Sequence, residues 1–106
     1  MPAGVAGWND ALASARAMSD RFGEAYTLWG RARTYQRESA PDWTAVRGDL
    51  DKAIELFRAM ETRPALARAL HDRANALRIL GRAAEAADDD RESRDLRREL
   101  GLVDLP

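Results

Sequence analysis

Residues 48–60 read GDLDKAIELFRAM. Leu50, Ala53, Ile54, Phe57 and Met60 recur there at steps of three and four. On a helical period that spacing gathers them on one face, with Asp51, Lys52, Glu55 and Arg58 opposite. The same rhythm runs back through Trp43 and Val46, so one amphipathic helix is predicted over about residues 42–61. Gly48 sits inside it at a cost of roughly 1 kcal/mol relative to alanine, which allows a bend there.

Four more helical segments follow when the reading moves outward. Residues 65–80 place Leu66, Ala69, Leu70, Ala74, Leu77 and Leu80 on one stripe and stop at Gly81. Thr62-Arg63-Pro64 precedes that stretch, and a proline suits the first turn of a helix because its missing N–H has no intrahelical partner there. By the same logic Pro41 marks the start of the 42–61 helix, with Ser39 or Ala40 as its cap. Residues 23–38 carry Ala25, Trp29, Ala32 and Gln36 on one line, and residues 8–19 carry Trp8, Leu12, Ala15 and Met18. The last segment, 83–100, has a thin apolar stripe and a charged middle, Asp88-Asp89-Asp90-Arg91-Glu92, before the natural C-cap Gly101. That run lacks the glycine and the ligand spacing of a calcium loop and reads as a solvated outer face.

Composition supports an all-helical chain. Of 106 residues, 45% are hydrophobic and 33% charged, the share of a folded domain rather than of a disordered one. The β-branched residues a sheet wants are scarce. Net charge is −1, which offers no global field for nucleic acid or an anionic membrane. With no cysteine there is no disulfide, thiolate metal site or cysteine nucleophile. His71 is the one histidine and has no motif partner for catalysis, and no phosphate-cradling loop or nucleophile elbow occurs. No enzyme activity, cofactor or metal is expected. No apolar run reaches the roughly 20 residues a membrane span needs. Residues 1–7 read as a flexible lead-in without a signal-peptide pattern, residues 102–106 as a C-terminal tail, and the cytoplasm is the expected location.

An internal repeat emerges from the spacing. Gly48 and Gly81 lie 33 residues apart, as do Ala53 and Ala86, so GDLDKAIELFRAM overlays GRAAEAADDDRES. Upstream the offset becomes 44, which pairs Ala25 with Ala69, Tyr26 with Leu70, Ala32 with Ala76 and Tyr35 with Ile79, with an insertion at about residues 37–47. This pattern resembles the tetratricopeptide repeat, a helix-turn-helix unit of about 34 residues. The turn glycines Gly48 and Gly81, the central alanines Ala53 and Ala86, and Phe57 stand where that family wants them; Arg33 and Asp90 stand where it wants aromatics. FRAMETRPALARALHDRANALRILGRAAEAA is similar to arrays attached to bacterial signalling proteins such as nucleotide cyclases and large ATP-dependent transcription activators.

The resemblance implies an all-α fold of about five helices, antiparallel helix-turn-helix repeats forming a short solenoid over residues 8–101. It implies a non-catalytic scaffold that mediates protein–protein contact, as part of a larger bacterial signalling protein. The alternative is a homo-oligomerisation element. In its register the first helix of each repeat lines a concave groove, which makes Arg31, Tyr35, Arg68, His71, Asn75 and Arg78 the candidate peptide-contacting residues. His71 and Asn75 have the four-residue spacing of the cation and asparagine with which some family members grip peptide C-termini, and the arginines would pair with carboxylates. The first helix shows an apolar stripe with nothing before it. Trp8, Leu12, Phe22 and Trp43 are therefore the candidate contacts of a homodimer.

Overall fold

A computed structural model describes residues 3–101, with side-chain surroundings from Gly7 onward. Five helices follow one another: α1 (Ala3–Ala17), α2 (Arg21–Gln36), α3 (Trp43–Ala59), α4 (Arg63–Ile79) and α5 (Ala83–Glu99). No strand occurs among the described residues, so the all-α expectation holds. The lead-in does not: residues 3–7 belong to α1. The first large apolar residue, Trp8, set the predicted start, but Ala3 and Ala6 are strong helix formers and no proline interrupts 3–17. The predicted 102–106 tail lies outside the described residues.

Short turns explain the reversals. Asp20 caps α2 by accepting the Gly23 N–H at 2.9 Å, and Asp42 caps α3 by accepting that of Ala45 at 3.1 Å. Pro41 thus stands just before the cap, because an aspartate one residue on captures the free N–H better than Ser39 or Ala40. α2 ends at Arg37 with φ −85°, whereas the other four of the five helices close with a left-handed residue, Ser19 at φ 54°, Glu61 at 55°, Gly81 at 80° and Gly101 at 70°. The residue that follows donates back five positions, Asp20 to Ala15, Thr62 to Phe57 and Arg82 to Leu77, at 2.8, 2.9 and 2.8 Å.

Each helix packs on the one before it, α1 on α2 through to α4 on α5. Leu50, Ala53, Phe57, Leu70, Ala74 and Leu77 are buried as the periodicity predicts. Trp29 departs from that expectation and stays half-buried. Its indole N–H donates to Asp72 at 2.6 Å, and the guanidiniums of Arg33 and Arg68 lie 5.4 and 5.2 Å from its ring centroid. A polar tip and two cations hold the ring at the rim instead of in the core.

The repeat register differs from the one the sequence suggests. Gly48 is not at a turn; it lies within α3, while Gly81 follows α4. The two left-handed turn residues Ser19 and Glu61, and the caps Asp20 and Thr62, are 42 residues apart. α3 and α5 are equivalent at an offset of 40, starting at Trp43 and Ala83. At these offsets Leu28, Arg31, Ala32 and Tyr35 overlay Leu70, Arg73, Ala74 and Leu77. The glycine pair sets an offset of 33, seven short of the 40 that relates α3 to α5, and the upstream offset of 44 is two beyond the 42 that relates α2 to α4, because glycine serves both a mid-helix site and a left-handed turn and so marks neither.

The shared arginine has the same structural role in both units. Arg31 on α2 makes a two-pronged pair with Asp49 on α3, at 2.8 and 2.7 Å, and its third nitrogen donates to Asn9 on α1 at 2.9 Å. Arg73 on α4 grips Asp89 on α5 at 2.7 and 2.9 Å and reaches Asp51 on α3 at 3.1 Å. Asp49 and Asp89 are buried. Hydrogen bonding to these carboxylates raises the pKa of Arg31 and of Arg73 above the usual guanidinium value, outweighing desolvation. Each arginine therefore ties three successive helices.

Two stability measurements check this account. Asp89→Ala should cost roughly 3 kcal/mol in denaturant unfolding, the low end for removing one partner of a buried pair, while the exposed Asp88→Ala should stay within about 0.5 kcal/mol. Equal effects would remove the ion pair from the core of the argument. Separately, a Cβ at Gly30 would meet the Trp8 ring at 2.5–2.8 Å, whereas one at Gly48 meets nothing within 4 Å. Gly30→Ala should therefore destabilise by roughly 1–3 kcal/mol, and Gly48→Ala should stabilise by about 0.5–1 kcal/mol; two stabilising substitutions would show that Trp8 does not pack there.

A cationic candidate binding cleft

In the first unit one interhelical slot is aromatic. Phe57 on α3 is fully buried, edge-on to Tyr26 and Trp29 of α2 with ring centroids 5.1 and 6.5 Å away. At the structural offsets, the same three places in the second unit hold Arg68, His71 and Arg97. No ring stack can form there, and the space is hollow. A cavity of about 240 Å³ is lined by Arg33, Arg68, His71, Asp72 and Arg97. A second, of about 200 Å³, shares His71 and Arg97 and adds Arg78, Asp90, Ser93 and Arg94.

The charges in this cleft are unevenly satisfied. Asp72 already accepts from Trp29, and Asp90 from Arg78 at 2.6 Å. Ser93 donates its hydroxyl to the Ala67 carbonyl at 2.7 Å. Among the described residues Arg33, Arg68, Arg94 and Arg97 have no carboxylate within 4.0 Å. Arg97 is only 6% exposed, and its Nη2 is buried without a hydrogen-bond partner. A buried guanidinium in that condition is costly, and the C-terminal end of the α5 dipole compensates it only in part.

Three of the six predicted groove residues, Arg68, His71 and Arg78, come together here. Asn75 is exposed but lines neither cavity. Arg31 is withdrawn into its pair with Asp49, and Tyr35 packs half-buried beside the Ala32, Val46 and Leu50 cluster. The first-unit face expected to be open is covered by α1. Trp8 donates to Thr34 at 2.7 Å, Asn9 accepts from Arg31, and Arg16 pairs with Glu24 at 3.2 Å.

That cover also changes the candidate dimer contacts. Leu12 is buried within its own chain, Trp8 lies half-buried over Gly30, and Trp43 leans on the cluster that includes Val46 and Leu50. Of the four, Phe22 alone is classed as exposed, at 52%. The apolar stripe of the first helix is covered by α2 of the same chain, not by a preceding helix.

Sequence reasoning missed Arg33, Asp72, Asp90, Arg94 and Arg97. The signal for Arg97 existed once the offset of 40 is used, since an arginine then stands in the slot of Phe57. A larger hollow, about 460 Å³, lies elsewhere, along Asp51, Ile54, Glu55, Arg58, Ala59 and Arg73. Its cations are already paired: Arg58 with Glu92, Arg73 with Asp89 and Asp51. It therefore offers a ligand less unspent charge than the cleft around Arg97. No family model matches the chain, and no curated protein or solved structure matches it either.

Proposed function

We propose that this chain is a protein-interaction module, a tetratricopeptide-like helical scaffold that takes an acidic protein segment in the cleft between α2, α4 and α5. One observation carries the reading: five arginines and a histidine from three helices surround two adjoining hollows that hold two carboxylates, both already engaged. Packed helices fix the backbone of such a cleft, which leaves only side-chain ordering to offset on binding, and guanidiniums recognise carboxylates through paired N–H donors. The kinship with repeat arrays of bacterial signalling proteins, and a cytoplasmic location, belong to the same proposal. Among the described residues no helix is long and apolar enough to cross a membrane.

Self-association is the second reading. It is favoured by Met18, Phe22 and Tyr26, which are 70, 52 and 44% exposed near the α1–α2 turn, with the Phe22 and Tyr26 rings stacked at 6.4 Å. Sedimentation across a concentration range decides it: association that Phe22→Ser abolishes supports a dimer, and a monomer throughout removes it.

For the main reading, a fluorescently labelled glutamate-rich peptide should bind with an affinity that falls as salt rises. Arg68→Glu combined with Arg78→Glu should weaken it at least tenfold, about 1.4 kcal/mol, and flatten the salt dependence, while Arg37→Glu on the α2–α3 link should not. Absent binding, or equal loss at Arg37, would discard the cleft as the docking site.

A further inference from the structure

The geometry points to a phosphorylated side chain of the partner protein as the group this cleft is built to hold, its phosphomonoester contacting Arg97. The inference rests on the reading of the cleft as a protein-docking site and goes further by naming the recognised group.

Charge separates a phosphomonoester from a carboxylate. Each cavity is lined by three arginines and one aspartate, and both aspartates are already engaged, Asp72 by Trp29 and Asp90 by Arg78. Counted once, the five arginines and two aspartates leave three positive charges, one on each side of Arg97 and that of Arg97 itself. A carboxylate would cancel one, whereas a phosphomonoester carries about −1.5 to −2 at pH 7 and three acceptor oxygens. Guanidiniums bind such a group through paired N–H donors, and His71 adds a further ring donor or acceptor.

Burial supplies the second, independent observation. Arg97 is 94% removed from solvent, lines both cavities, and leaves Nη2 without a partner. In the equivalent slot of the first unit Phe57 fills its space completely. Buried polar atoms in folded proteins are almost always hydrogen-bonded, and a missing partner calls for a specific cause. Nη2 is closed to solvent in the unliganded fold, and a turn of the guanidinium toward a ligand oxygen seated among Arg68, His71 and Arg97 supplies that partner. Arg94, exposed at the rim of the second cavity, is placed to contact the same group from outside.

The test uses one glutamate-rich peptide in three forms, with serine, aspartate or phosphoserine at its centre. Affinities are read by fluorescence anisotropy on the full chain. The phosphoserine form should bind at least tenfold tighter than the aspartate form. Arg97→Met should remove that advantage and Arg97→Lys should restore part of it, with circular dichroism checking that each variant stays helical. Should Arg97→Met unfold, Arg94→Gln on the surface is the second probe and should cut the phosphoserine advantage severalfold. Equal affinities for the aspartate and phosphoserine forms, or an advantage that survives both substitutions, overturns the inference while leaving the acidic-segment reading intact. Binding of the phosphoserine form alone, with none of the other two, supports the phosphate site and removes the general acidic reading. Inorganic phosphate should compete only at concentrations at least a hundredfold above those of the phosphopeptide; competition at equal concentration overturns the assignment to a protein side chain.

Discussion

The fold depends on a half-buried arginine, paired with a buried aspartate, that holds three helices at once. Arg31 and Arg73 sit at corresponding places on α2 and α4, and each spends its guanidinium on the helix before and the helix after. Apolar burial is non-directional, so it specifies the register between helices less sharply than a paired charge does. A two-pronged pair with a buried aspartate resists sliding, since a slip would strand both charges in the core. With Arg31 fixed on Asp49 and Asn9, α1 settles with Trp8 over Gly30 and its indole N–H on Thr34. With Arg73 fixed on Asp89 and Asp51, α5 is drawn toward α3, where Arg58 pairs with Glu92 and Arg47 with Glu85.

Much of the architecture was legible in the residues because local signals agreed. Amphipathic spacing located five helices, and prolines and glycines placed most of their boundaries within two residues; the exception is α1, whose alanine-rich start at Ala3 lies five residues before the predicted one. The repeat register was less legible. Gly48 and Gly81 look alike in sequence, but one occupies a helix interior with open space beside it and the other a left-handed turn at φ 80°. The arginine–alanine pairs Arg31-Ala32 and Arg73-Ala74 carry the true offset, and their meaning depends on carboxylates 16 and 18 residues away that only packing brings near. Long-range pairs of this kind leave no local periodicity to read.

The candidate site was half legible for a related reason. Arg68, His71 and Arg78 stood out as cations on one helix face, and a single-helix reading finds such sets well. Arg97 comes from the following helix, where it appeared to be one more charge in a polar segment. Its burial follows from α5 folding back onto α4, with Ser93 bonded to the Ala67 carbonyl one turn earlier. Arg31 misled in the opposite sense: it shares a face with open residues on the helical wheel, yet α1 and α3 enclose it.

The two units therefore divide the work of a single scaffold. In the first, Phe57 is buried edge-on against the half-exposed rings of Tyr26 and Trp29, and Trp8 covers the Gly30 face. In the second, Arg68, His71 and Arg97 occupy the same three positions and leave a hollow. Replacing interlocked rings with like charges sacrifices packing, dispersion and the aromatic edge-to-face contacts. Cation–π contact of Arg68 with Trp29 returns part of that loss, and the α5 terminus offsets part of the charge on Arg97. The remainder stays uncompensated within the chain, with Nη2 of Arg97 buried and unpartnered. The arginine staples make this tolerable, because Arg73 and Asp89 lock α4 against α5 independently of the cleft and keep the hollow from collapsing when it is empty.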